Sequence, residues 1–210
     1  MTGTDTDRTT LSQPPRRADA QPSMRADAQP SMRADARRNF EKLVTSAREA
    51  FAEEGTSAPL EEIARRAGVG IGTLYRHFPT RQALLEAVYI EEVEAISRSV
   101  ADFADLPPWE ALNGWLHRFV RFAATKRALS EELFAYLERD AEVFRSCGIA
   151  ISEAGESLLR RAQQAGVARA DVTFGDVGRM VAGIAVIRTA DSDEIERILD
   201  LALDGLRYRP

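Results

Sequence analysis

From Asp35 to the end of the chain, apolar residues recur at intervals of three and four, and no stretch sustains the alternation of a half-buried strand. Phe40, Leu43, Val44, Ala47 and Phe51 form one such stripe, closed by Gly55 where a helix would end. A short second helix follows Pro59, which suits a first helical position, and presents Leu60, Ile63, Ala64 and Ala67 on one side. Gly68 then breaks the chain. Gly70-Ile71-Gly72-Thr73 opens a third helix that stops before Pro79, and Thr80 is placed to cap a long fourth one carrying Leu84, Leu85, Val88, Val93, Ile96, Val100 and Phe103. Pro107-Pro108 starts another, with Leu112, Trp115, Leu116, Phe119, Val120 and Ala123 inward, and further helices are expected near 130–138, 140–165, 173–189 and 193–207. The expected fold class is all-α.

At 210 residues the chain can bury a sizeable core in one domain or two small ones. It has no apolar run of the roughly 18 residues that a membrane span needs, so no membrane partner is expected. Its opening residues, MTGTDTDRTT, lack the apolar stretch of a signal peptide, so a cytoplasmic location is expected. Cys147 is the single cysteine, and His77 and His117 are the only histidines. That leaves no disulfide framework and no expected metal site or cofactor. Residues 1–32 carry RADAQPSM at 17–24 and again at 25–32, with Pro14, Pro15, Pro22 and Pro30 and almost no large apolar side chain. They are expected to form a disordered tail.

The net charge of −5 argues against a protein that coats nucleic acid, but its distribution is uneven. Residues 1–38 hold seven Arg against five Asp, residues 39–81 hold six of each sign, and residues 82–210 hold fifteen basic against twenty-two acidic. The N-terminal third can therefore approach a polyanion that the remainder would repel.

The informative stretch is 38–89, where two short helices flank Ala67-Gly68-Val69-Gly70. This is the spacing of a helix-turn-helix: the glycine takes the turn and the following apolar residue fills the angle between the helices. A third helix of about two turns is too short to stand alone, so Leu74 and Phe78 must hold it down. Its other side then carries Ile71, Gly72, Thr73, Arg76 and His77, with Tyr75 at the edge. Thr73 offers a methyl and a hydroxyl to base edges, Ile71 a contact for a thymine methyl, and Gly72 room to sink into a major groove. Tyr75, His77 and Arg81 suit phosphate oxygens, and Arg76 phosphate or guanine. Arg33, Arg37 and Arg38 precede the first helix as a basic arm, and for Arg65-Arg66 plain solvation is preferred to a contact at the DNA flank.

Residues 60–89, LEEIARRAGVGIGTLYRHFPTRQALLEAVY, resemble the DNA-binding domain of the TetR family of transcriptional regulators. The likeness lies in the Ile-Ala pair of the second helix, Gly68-Val69, and the core Thr73-Leu74-Tyr75-x-His77-Phe78. It extends over roughly 36–90, beyond which the helical layout alone matches. The resemblance implies a helix-turn-helix domain over 33–80 and a helical bundle for ligand binding and dimerisation over 81–210. It implies base reading by Ile71, Gly72 and Thr73, groove-edge and phosphate contacts by Tyr75 and His77, and a backbone grip by Arg81. One departure stands out: Ala58-Pro59-Leu60 occupies the start of the second helix, where the family often has a Thr or Ser hydroxyl for phosphate.

The resemblance further implies a homodimer on a palindromic double-stranded DNA operator, and a repressor that a small-molecule effector releases. Candidate pocket residues are Trp115, His117, Phe119, Phe122, Phe134, Tyr136, Phe144 and Met180, since large walls with a few polar groups make a ligand site. For any one of these aromatics, ordinary core is the simpler role. The apolar stripes Val181 and Ile184, then Ile195, Ile198, Leu199, Ala202, Leu203 and Leu206, are the candidate dimer interface. An enzyme is not expected, because His77 has no nucleophile or paired carboxylate at a working distance along the chain and GVGIGT lacks the spacing of a phosphate loop. The alternative is a helical small-molecule-binding or partner-docking protein without operator recognition.

Overall fold

The computed structural model describes residues 28–138, 141–187 and 191–208. The chain is all-α: α1 spans Ala28–Glu54, α2 Leu60–Arg66, α3 Ile71–His77 and α4 Arg81–Arg98, which runs on into a 3₁₀ turn at Ser99–Phe103. Then come α5 at Pro108–Thr125, α6 at Arg127–Tyr136, α7 at Glu142–Gln164, α8 at Phe174–Ala185 and α9 at Ser192–Asp204. Among the described residues the one non-helical pairing is a single antiparallel bridge between Ala168 and Arg207. None of these helices is long and apolar enough to cross a membrane.

The expected tail lies outside the described residues as far as residue 27, but from Ala28 the chain is already helical, inside the segment expected to be disordered. Pro30 falls in the first turn, where its missing N–H has no helical acceptor to lose, and the Arg and Ala that follow are good helix formers. Residues up to Arg37 make one unit and residues from Arg38 a second. In the first, side chains 33–37 are exposed.

The second unit contains two apolar cores. One, the head core, gathers Leu43 and Ala47 of α1, Leu60 and Ile63 of α2, Leu74 of α3, and Leu84, Leu85 and Val88 of α4. Leu129 and Leu133 of α6 join it. The other, the body core, joins Ile96 of α4 to Leu112, Trp115 and Phe119 of α5, Leu158 of α7, Phe174 and Val181 of α8, and Leu199 and Leu203 of α9. At about 27 Å for its 18 residues, α4 is long enough to serve both. The head core therefore runs past the expected boundary at residue 80.

Helix ends follow local chemistry. Thr80 caps α4, its hydroxyl accepting from the Ala83 N–H at 3.1 Å. Thr173 and Asp176 form a reciprocal capping box on α8, and Asp191 caps α9. Pro59, expected at the first helical position of α2, is instead its N-cap, in extended conformation with its carbonyl accepting from Glu62 and Ile63. In the body, Gly155 of α7 lies under the Phe174 ring: a Cβ at this position would sit 2.0 Å from ring carbons. A glycine inside a helix costs about 1 kcal/mol against alanine, and here it admits a phenyl ring into the space between α7 and α8.

Candidate nucleic-acid interface

The turn between α2 and α3 is fixed by backbone hydrogen bonds that require its glycine. Gly68 adopts φ +68, its N–H donates to the Arg65 carbonyl, and the Val69 N–H donates to the Ala64 carbonyl at 3.0 Å. This paired closure satisfies the last carbonyls of α2 with a left-handed residue at the position where L side chains are strained. Gly70 then caps α3 without a side chain, and its carbonyl accepts from both Thr73 and Leu74.

Leu74 is fully buried and Phe78 is 3% exposed, so α3 is pinned along one side. Phe40 of α1 packs against Phe78 with ring centroids 5.2 Å apart and meets the His77 ring edge-on at 6.4 Å. The opposite side of α3 is open: Ile71, Gly72, Tyr75 and Arg76 are exposed, and Thr73 and His77 are half-buried. A Cβ on Gly72 would meet nothing within 4 Å. Nothing inside the protein therefore requires a glycine there, and the surface at this point of α3 is left without a side chain. A seven-residue helix is about 10 Å long and a B-DNA major groove about 12 Å wide.

The basic residues around α3 differ in their commitments. Arg76 forms no ion pair among the described residues. Arg81 is half-buried, and one of its nitrogens donates to the Thr56 carbonyl at 2.8 Å, tying the start of α4 to the loop between α1 and α2. Arg38 is exposed on α1, as is Arg37 in the first unit. Arg66 is enclosed by three carboxylates, Glu53 and Glu54 of α1 and Glu62 of α2, at 2.6, 2.6 and 2.8 Å. Arg65 pairs with Glu62 at 2.7 Å. Bonds from Arg65 and Arg66 hold the Glu62 carboxyl down at about 2. Both arginines thus staple carboxylates within the head, Arg66 joining α2 to α1.

The pocket residues expected from sequence do not converge. Trp115 is fully buried, with its indole N–H donating to the Ile96 carbonyl at 3.2 Å, and it stacks on Phe119 at 5.4 Å. Phe122 and Met180 pack at the margin of the same body core. Phe144 belongs instead to the head core, where its ring meets Phe134 at 4.5 Å and Tyr89 at 5.6 Å. Tyr136 is 53% exposed. The reason is α6: Leu129 and Leu133 dock on α4 and carry the neighbouring aromatics away from the body. His117 clasps α9, with Nδ1 donating to the Asn113 carbonyl at 2.9 Å and Nε2 lying 3.1 Å from Asp200.

The expected dimer stripe is likewise mostly interior. Val181, Ile184, Leu199, Leu203 and Leu206 are buried within the protomer, and Ile195, Ile198 and Ala202 are half-buried against the same core. An apolar stripe at helical spacing fills a core before it can face a partner. The small and apolar residues left outward are Ala182 and Gly183 of α8, its C-cap Val186, and Leu201 of α9, the last 70% exposed, among charged residues such as Arg179, Arg197 and Asp200. Cys147 is buried, and burial pushes its thiol up to about 11, which leaves little thiolate for redox chemistry.

Comparison with known proteins covers both cores. Residues 43–88 match bacterial regulatory proteins of the tetR family, and residues 107–208 match the C-terminal domain of SbtR-like transcriptional regulators. Among solved structures, the chain is similar to a TetR transcriptional regulator from Streptomyces coelicolor, at 41% identity and a TM-score of 0.70, over 81% of this chain and 99% of the other. A TetR regulator from Mycobacterium vanbaalenii shares 37% identity with a TM-score of 0.68, over 84% and 99%. The HTH-type transcriptional regulator UidR of Escherichia coli is 27% identical over 183 residues, which is 79% of this chain and 88% of UidR. The likeness therefore extends well beyond the 36–90 segment in which the sequence motifs are concentrated.

Proposed function

Because the chain belongs to the TetR family of DNA-binding transcriptional regulators, we propose that it is a homodimeric repressor that leaves a palindromic operator when a small molecule binds its body. One observation carries the DNA half of this reading: α3 is clamped by Leu74 and Phe78 while Gly72, on its open side, has no internal neighbour to make room for. In this reading Ile71, Gly72 and Thr73 face base edges in the major groove. Tyr75, Arg76 and His77 reach phosphates or groove edges, with Arg38 and Arg37 adding basic charge from α1. Arg81 holds the α1–α2 loop with one nitrogen and offers its remaining donors to the DNA backbone.

A single two-turn helix reads few base pairs, and a two-fold dimer doubles the contacts at half-sites one helical turn or a multiple apart. The outward side of α8 and α9, which exposes Ala182, Gly183 and Leu201, is the surface assigned to the second copy. An effector acts only through a difference in its affinity for the DNA-competent and released arrangements.

The test is a gel shift with the DNA upstream of the protein's own gene, with Tyr75→Ala beside the natural chain. Tyr75→Ala is expected to weaken binding about tenfold, since contacts of this kind are worth about 1–3 kcal/mol, with an unchanged melting temperature. Light scattering of the complex is expected to give a multiple of two chains per duplex. Equal binding by both chains, or one chain per duplex, overturns the reading in favour of a ligand-binding or docking protein.

A further inference from the structure

Glu92 stands where α4 passes from one core to the other. Val88 is the last buried residue of α4 in the head core and Ile96 the first in the body core, and Glu92 lies four positions from each. Residues at that spacing share one side of a helix. On this side Ala52 of α1 and Arg121, Phe122 and Thr125 of α5 line a groove of about 770 Å³, with α4 as its third wall. Open space, and not packed side chains, therefore separates α1 from α5 here.

Charge spans that gap. Lys126 Nζ lies 3.0 Å from Glu92 Oε1, with side chains 18% and 14% exposed, and Nε of Arg48 on α1 approaches the same oxygen at 3.8 Å. A pair this enclosed is screened less than one in open solvent. Neither cation hangs from a loose segment. Lys126 caps α5 with its N–H donating to the Phe122 carbonyl at 2.9 Å, and its own carbonyl accepts from the Ser130 N–H at 3.0 Å and hydroxyl at 2.9 Å. Arg48 follows Ala47, which is fully buried in the head core.

One carboxylate thus joins a helix of the head to a helix of the body across a third. Other charged ties are more local. Arg66 joins α2 to α1, Arg121 joins α5 to α9 at 2.8 Å, and Arg98 bonds Glu91 and Glu94 of its own helix, each at 2.9 Å. A helix shared by two cores leaves rotation about its own axis to be fixed by contacts off that axis, and the bonds to Arg48 and Lys126 are such contacts.

We propose that Glu92 is a positioning residue for DNA binding: with Arg48 and Lys126 it forms a strut that fixes the angle of the head, and so of α3, against the body. The proposal rests on the reading of α3 as the DNA-facing helix.

The experiment is a quantitative gel shift with the DNA upstream of the protein's own gene, repeated over a series of salt concentrations. Glu92→Gln is expected to weaken binding about fivefold, a size usual for coupled neighbours, in a chain that circular dichroism shows to be folded at the assay temperature. The sign is diagnostic, because deleting a negative charge by itself strengthens attraction to a polyanion. Arg48→Gln and Lys126→Gln are each expected to weaken binding by a similar factor, since cutting either link frees the strut, and to cost nothing further in the Glu92→Gln background. The slope of log affinity against log salt is expected to match the natural chain's in all three, because none of these residues touches phosphate in the proposed arrangement. Arg98→Gln serves as the control and is expected to change nothing. Unchanged or stronger binding by Glu92→Gln, losses that add in the double variants, or a salt slope reduced by about one in Arg48→Gln each overturns the proposal. Tyr75→Ala is run beside these variants: if it binds as the natural chain does, the reading of α3 falls, whereas a defect in Tyr75→Ala with intact binding by Glu92→Gln removes the strut alone.

Discussion

The head and the body close their helices by different means. In the head, short helices meet at a rim of charge, with Arg66 gripped by Glu53, Glu54 and Glu62 and the α2–α3 turn locked through Gly68. In the body, long helices meet through aromatic rings, with Trp115 against Phe119 and Phe174, and Phe174 seated on Gly155. A short helix buries too few residues to fix its own angle, so directional bonds must do so. A long helix fixes its angle by interlocking side chains. The head should therefore answer to acid and to backbone strain, and the body to side-chain volume.

The largest expected effect tests the body. Gly155→Val forces a branched side chain into the space of the Phe174 ring, and overpacking of this kind costs about 1–3 kcal/mol. A fall of several degrees in melting temperature is expected, with head and body unfolding in one transition because α4 runs through both cores. Two separated transitions in calorimetry would break the claim that α4 couples them. Gly68→Ala tests the head: a left-handed alanine costs about 1 kcal/mol, and the expected outcome is weaker DNA binding from a chain whose body is unaltered by circular dichroism.

The smallest effect is the most diagnostic of charge. The Glu62 carboxyl sits at about 2 in the folded chain against its ordinary 4.5, so its bonds to Arg65 and Arg66 contribute above pH 4.5 and fade as pH falls towards 2. Glu62→Gln is expected to melt slightly earlier than the natural chain at pH 7, with the gap closing through that window. A gap that stays constant down to pH 2 would show that the carboxylate contributes by shape alone.

How far the sequence disclosed this molecule depended on how local each answer was. The side of α3 that faces out could be read from Ile71 to Phe78 because its buried anchors, Leu74 and Phe78, lie close in the chain to the residues they orient. The dimer stripe could not. Val181, Leu199 and Leu203 obey the same periodicity whether they meet their own chain or a second copy, and the residues left outward, Val186 and Leu201, lie off the stripe. The aromatics expected to share a pocket divide between the two cores for a related reason: Phe134 and Phe144 meet each other beside the head core, to which Leu129 and Leu133 belong, while Trp115 and Phe119 lie in the body core.

One bond in the head sets the scale of motion available to the regulator. Because Arg81 fastens the first turn of α4 to the carbonyl of Thr56, the recognition unit swings with that helix as a boom swings with its mast. Over a rod of ~27 Å, a tilt of about 5° moves the tip by about 2 Å. That displacement is enough to stretch an N–H···O contact past its working limit, so a tilt too small to disturb either core would shift α3 off any partner it had met.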